Sequence, residues 1–274
     1  MLDFIRDIAS YQFLQNALIA SLLTGVTCAI IGTYIVVRRM VFLSGGITHA
    51  SFGGIGIAYY FGFNPIIGAL IFSVLSSLGM DYIASKTKMR EDSAIGVLWA
   101  LGMAIGIIFI FMTPGYTPNL MSFLFGNILT ITDDILLGNA VIALLLIAIF
   151  TFFNRQIIFT AFDKDFAKTQ NIPVALINGT MLVLTATTIV LTIKLVGIVL
   201  LVSLLTIPPI TVNTFTHSYN KITLYAIVIT CLGSITGLYI SYISDLPSGA
   251  SIIIVLGTFY ILSRLIFSIR KHYR

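Results

Sequence analysis

Nearly uncharged apolar runs of about twenty residues recur along this chain, and each is long enough to cross the roughly 30 Å hydrocarbon core of a bilayer as a helix. They fall near 13–37, 65–83, 93–113, 135–153, 174–193, 196–214, 222–243 and 249–269, with a shorter Gly-rich run at 47–61. In lipid every backbone N–H and C=O must be satisfied inside the segment, so serial runs of this kind fold as a helical bundle. Of the 274 residues, 58% are hydrophobic and 9% charged, against about 25% charged in an ordinary soluble domain. That leaves too little polar surface to cover a water-soluble globule. The predicted fold class is an all-α integral membrane protein, a polytopic helical bundle of 8–9 transmembrane helices, with 1–274 as one transmembrane domain. Nine crossings result if 47–61 spans, and eight if it is re-entrant or one break is misplaced. The 174–214 stretch exceeds a single span, and Lys194 with Gly197 supplies its turn.

Charge placement predicts the topology. With nine alternating spans and a cytoplasmic C-terminus, thirteen of the fifteen Lys and Arg residues fall on the inner side, leaving Arg6 and Lys194 outside. The opposite arrangement violates the positive-inside rule, so the N-terminus is expected outside. The net charge of +5 is not a nucleic-acid footprint, because the basic residues cluster at span ends and form no stripe. Residues 1–10, MLDFIRDIAS, carry one Arg and two Asp. The apolar stretch after them is too long for the core of a signal peptide, and it reads as a retained span. Cys28 and Cys231 both lie inside apolar runs, which is not a disulfide framework.

Absent motifs narrow the chemistry. The chain has no G-x-x-x-x-G-K-[ST], so no Walker A cradle for nucleotide phosphates, and neither H-E-x-x-H nor G-x-S-x-G. With only His49, His217 and His272, one chain cannot build a His-rich metal site. An enzyme reading is therefore disfavoured.

The most distinctive stretch is 44–60, SGGITHASFGGIGIAYY. At helical spacing Gly46, Ala50, Gly54 and Ala58 form a small-xxx-small face that lets another helix approach closely. Gly45, His49, Gly53 and Gly56 form the adjacent strip, where the imidazole is the one large polar group. His49 has two readings: a hydrogen-bonded packing residue, or a ligand facing a pathway, since ionisable groups at membrane depth are costly and tend to face cavities. Thr48 and Ser51 either offer oxygens to the ring or to a passing ion, or bond back to their own helix.

Four further segments stand out. Residues 38–46 and 84–92 read as short inner loops, and 114–134 as an outer connection holding the amphipathic stretch LMSFLFGNIL. On the inner side, 160–173 reads as a short amphipathic helix closed by Asn171-Ile172-Pro173, with Phe162 and Phe166 four apart on one face. It is either an interfacial helix resting on headgroups or a docking knob for a cytoplasmic partner. Pro208-Pro209 should end or bend the helix that contains them. Asp133, Asp134 and Asp245 read as solvated span ends.

Taken in order, five of these segments resemble the permease subunits of the zinc/manganese/iron-type ATP-binding-cassette importers, the ABC-3 metal permeases. RRMVFLSGGITHASFGG resembles the family's Arg-rich turn and G-D-x-x-x-H-A box, REDSAIGVLWALG its E-D-x-x-I-G segment, and NLMSFLFGNILTIT its outer L-M-x-x-L-F-G element. AFDKDFAKTQNIP with KLVGIVLLVSLLTIPPIT resembles the coupling region and the helix after it, and DLPSGASIIIV the last outer turn. The resemblance implies a type II importer-like bundle in the plasma or inner membrane. Two permease copies would form the path, a separate cytoplasmic ATPase would supply energy, and an extracytoplasmic metal-binding protein would deliver the cation. It implies no catalytic residue here and no permanently bound cofactor, the divalent metal being transported substrate. The pore histidine maps onto His49, flanked by Gly45, Gly46, Thr48, Ala50, Ser51, Gly53 and Gly54 as pore-lining or packing residues. The coupling helix, about 160–172, maps onto Phe162–Gln170, with Phe162, Asp163, Phe166, Ala167 and Gln170 as its docking residues.

Two departures are visible. Gly45 stands where the family commonly has Asp, four residues before the histidine, and Asn171 stands where it often has Gly. If His49 faces a twofold axis, two imidazoles meet across the pore. That is fewer than the four ligands of a structural zinc site, so a bound cation would remain exchangeable, as conduction requires. Losing the hard carboxylate oxygen tilts the expected preference toward zinc or iron over manganese. Two rival readings make different demands. A stand-alone secondary carrier or channel would need more membrane-embedded carboxylates and no ATPase. A non-transporting scaffold or receptor would leave metal accumulation indifferent to His49→Ala.

Overall fold

The computed structural model describes residues 2–87, 89–115, 126 and 131–272. Every regular element among them is an α-helix: α1 (Leu2–Ser10), α2 (Gln12–Val37), α3 (Val41–Phe61), α4 (Pro65–Thr87), α5 (Glu91–Met112), α6 (Asp133–Phe152), α7 (Asn154–Phe162), α8 (Lys164–Thr169), α9 (Val174–Asn213), α10 (Tyr219–Ser244) and α11 (Ser248–His272). Eight of these, α2–α6 and α9–α11, are long and apolar enough to cross a membrane, so the expected helical membrane bundle is what forms. The amphipathic stretch LMSFLFGNIL lies, apart from Gly126, outside the described residues.

The Gly-rich run is a full helix. α3 has 21 residues, about 31 Å at 1.5 Å per residue, which fits a crossing and not a re-entrant hairpin. It begins at Val41, so the inner loop expected over 38–46 shrinks to a turn at 38–40, in which Arg39 adopts φ 58. Gly45 and Gly46 do not break the helix because both back onto α5, through Trp99 and Ile95. α3 stops at Gly62, whose left-handed backbone (φ 73) turns its N–H onto the carbonyls of Ala58 and Tyr59.

α9 covers 40 residues in two helical halves that meet at Gly197, and each half is about as long as one crossing at 1.5 Å per residue. Its one interruption is Gly197, at φ 76 and ψ 168, a conformation open to glycine alone. This is the turn expected from Lys194 and Gly197. The bend expected at Pro208-Pro209 is not an interruption, since the backbone stays helical to Asn213. Pro209 cannot donate to the carbonyl of Leu205, and α2 packs closely against that carbonyl. A Cβ placed on Gly32 would lie 2.2 Å from the Leu205 oxygen, so only glycine permits the approach.

Packing divides the chain into two compact units. The first gathers α1, α2, α6, the second half of α9, α10 and α11; the second gathers α3, α4, α5, α7, α8 and the first half of α9. Within the first, Tyr242 donates to the Asp7 carboxylate, and Asn16 donates to the Ile131 carbonyl (3.3 Å) and to Asp133 (3.2 Å). The start of α2, the start of α6 and the end of α10 therefore share one end of that unit, as the charge-derived topology requires. α1 was not anticipated as a helix. Phe4 and Ile8 stand four apart in it, and Phe4 packs edge-on against Tyr239 at 5.3 Å.

Candidate functional site

The site lies in the second unit, where α3 is held between α4 and α5. Small residues allow the close approach predicted from their spacing, but against two helices, not one. Gly54 meets α4, where a Cβ would come within 2.1 Å of the Gly68 carbonyl oxygen, while a Cβ on Gly68 would lie 2.8 Å from the Ala58 methyl. Toward α5, Gly102 packs against the Ala50 backbone and Gly56 against the Gly106 carbonyl, at 2.5 and 2.4 Å to a Cβ built on the respective glycine. Gly53 fits between Phe72 of α4 and Gly102 of α5.

The strip Gly45–His49–Gly53–Gly56 faces α5, and His49 is half-buried in that seam. Its ring lies face to face on Trp99 of α5, with centroids 4.3 Å apart and planes 6° from parallel. Nδ1 is fully enclosed and has no hydrogen-bond partner. Nε2 has none either among the described residues, but it is not enclosed. Thr48 and Ser51 are buried, and their hydroxyls donate to the carbonyls of Ser44 and Thr48, both at 2.6 Å. Of the two readings open for them, bonding back to their own helix is the one adopted. Gly45 borders the rim of the Trp99 indole, 3.6 Å from a Cβ built there, so this position has room for a side chain. Trp99 was not singled out from the sequence. As the chain's one tryptophan, inside an apolar run, it carried a signal that periodicity arguments overlook.

At one end of the same unit, α7 and α8 replace the single short helix expected over about 160–172. Asp163 (φ −151, ψ 103) breaks the helical run and caps α8, accepting from the N–H groups of Asp165 and Phe166 at 2.9 Å each. Phe162 therefore closes α7, while Phe166 lies in α8, and their shared face does not follow from helical periodicity. Both are nonetheless exposed, at 61% and 47%. Ala167 is fully buried and Gln170 is exposed. α8 ends in a left-handed cap at Asn171 (φ 57), with Ile172 N–H donating to the Ala167 carbonyl at 3.1 Å. A glycine would serve equally at that position. Lys168 bonds Asp165 at 2.8 Å and holds its carboxyl below the usual range, through the hydrogen bond first and its charge second. Lys164 reaches Glu91 at the start of α5 (4.0 Å), and Arg38 donates to Asn178 at the start of α9. Two of the segments assigned to the inner side, 84–92 and 154–173, thus meet, and the third, 38–46, reaches the start of the helix that follows 154–173.

Among the described residues no three His, Cys, Asp or Glu side chains come together to hold a metal ion. Eight helices long and apolar enough to cross a membrane make this a polytopic membrane protein, and the conspicuous polar group in its α3–α5 seam is a single imidazole ring. Sequence comparison narrows that class: the chain belongs to the ABC 3 transport family, whose profile matches residues 10–267. It is 39% identical over 263 residues to an uncharacterized membrane protein of Synechocystis sp., covering 96% of this chain and 94% of that one. It is 34% identical over 260 residues to a manganese transport system membrane protein of Halalkalibacterium halodurans, covering 95% and 89%. Among solved structures it is similar to PsaBC from Streptococcus pneumoniae in complex with Fab, with a TM-score of 0.84 and 28% identity over 96% of this chain and 94% of that one. The family resemblance carried by the five collinear segments therefore holds.

Proposed function

We propose that this chain is the membrane-spanning permease subunit of an ATP-binding-cassette importer that takes up a divalent transition metal, either zinc, manganese or iron. The observation that carries this reading is the family match along nearly the whole chain, from residue 10 to residue 267. Energy comes from a separate cytoplasmic ATPase, and metal arrives from an extracytoplasmic binding protein. Two copies of the chain form the path in the plasma or inner membrane, with C-termini in the cytoplasm and N-termini outside, and each copy works as one permease domain over 1–274. The exposed Phe162 and Phe166, on either side of the Asp163 cap, give the ATPase an apolar foothold. His49 serves as the transient metal ligand, an assignment supported by the unenclosed Nε2.

The test is metal uptake into proteoliposomes holding the permease with and without its partner ATPase. Accumulation that depends on ATP and on the ATPase is expected. Accumulation driven by an ion gradient with the permease alone would contradict the proposal and favour a secondary carrier. Metal-stimulated ATP hydrolysis, measured ion by ion, identifies the physiological cation.

A further inference from the structure

A histidine that binds a metal through one ring nitrogen normally donates its other N–H to a carboxylate, a carbonyl or a water, and that bond fixes the ring plane. At His49 no described protein group supplies this support: Nδ1 is enclosed in the α3–α5 seam and no described group accepts from it. The nearest ring to the imidazole is the indole of Trp99, parallel to within 6° at a centroid distance of 4.3 Å, with the Phe52 ring further off at 6.4 Å and 23°. Offset parallel stacking of flat rings is worth more than the area it buries. Here it suppresses rotation of the imidazole about its terminal torsion, which is otherwise broad. Gly45, one turn earlier on α3, keeps the indole rim free of any competing side chain at 3.6 Å.

We propose that Trp99 is the positioning residue of the translocation site: it fixes the His49 ring by stacking, where no described protein group accepts from Nδ1, and so presents Nε2 to the divalent cation. This rests on the reading of His49 as a transient metal ligand. Trp99 contributes no ligand atom. Its effect is on how tightly the cation is held and not on the ATP-driven cycle.

The chain's one tryptophan is then a built-in reporter. Manganese(II) is paramagnetic and quenches an indole at contact range, so manganese chloride added to the full-length permease in nanodiscs should give saturable quenching that His49→Gln removes. In the reconstituted complex, Trp99→Leu should raise the manganese concentration for half-maximal uptake by about tenfold or more, the range for losing such support. Maximal uptake should change less than about twofold, and Trp99→Phe, which keeps a flat ring, should restore most of the affinity. Half-saturation unchanged in Trp99→Leu would overturn the proposal. So would the absence of quenching in a wild-type chain whose uptake is abolished by His49→Gln. Uptake unaffected by His49→Gln is a different failure, which would remove His49 from the path altogether.

Discussion

At the scale of single residues, the α3 glycines divide by what lies opposite them. Gly54 faces the Gly68 backbone, and a Cβ there would stand 2.1 Å from a carbonyl oxygen that cannot move without shifting α4. Gly54→Leu should therefore destabilise the chain by about 1–3 kcal/mol or more, the usual cost of overpacking, seen as a lowered Tm in detergent. Gly45 faces only the indole rim at 3.6 Å. Gly45→Asp should fold and assemble as wild type does, and should shift uptake competition toward manganese relative to zinc by adding a hard oxygen beside the imidazole. A lowered Tm for Gly45→Asp equal to that of Gly54→Leu would contradict the distinction. The sequence made the small-residue face legible, because spacing alone reports it. It did not make the partner helices legible, since residues adjacent along the helix surface, Ala50 and Gly54, turn to α5 and α4 respectively. The His49–Trp99 stack joins positions fifty residues apart, and no local pattern encodes that pairing.

At the scale of elements, capping chemistry decides what hydrophobicity cannot. The spans were readable because each carries its own apolar length. The Asp163 break was not, because a periodic reading of Phe162 and Phe166 bridged it, although an Asp that begins a short polar run is a helix-start signal. Asp163→Ala should cost about 1 kcal/mol by removing the cap and should loosen α8, measurable as faster amide exchange at Asp165 and Phe166. Phe166→Asp leaves the cap intact and changes the exposed surface. It should abolish co-purification of the partner ATPase with little effect on Tm. Retained ATPase in that variant would place the docking surface elsewhere. The interruption of α9 at Gly197, not at Pro208-Pro209, has a similar explanation. Gly197 holds a backbone (φ 76, ψ 168) that glycine alone adopts, whereas the backbone stays helical through Pro208-Pro209.

At the scale of the whole molecule, α2, α3 and α9 bury 72% of their most apolar windows, whereas α5 buries 17% and α11 22%. The first three are the most buried spans, and the other two turn most of their apolar side chains outward, as a lipid face requires. The topology makes a direct prediction. Cysteines introduced at Arg6 and Lys194 should react with an impermeant maleimide in intact cells, and one at Lys168 only after permeabilisation; the reverse pattern would invert the orientation. The central claim is that this chain conducts a divalent metal past His49 under power supplied by another subunit. The most direct measurement is ATP-driven accumulation of manganese, iron and zinc in proteoliposomes holding the permease–ATPase complex, with wild type compared with His49→Ala. Uptake of at least one of these metals in wild type, lost in His49→Ala although the complex still assembles, is the predicted result. Equal uptake by both would contradict the account.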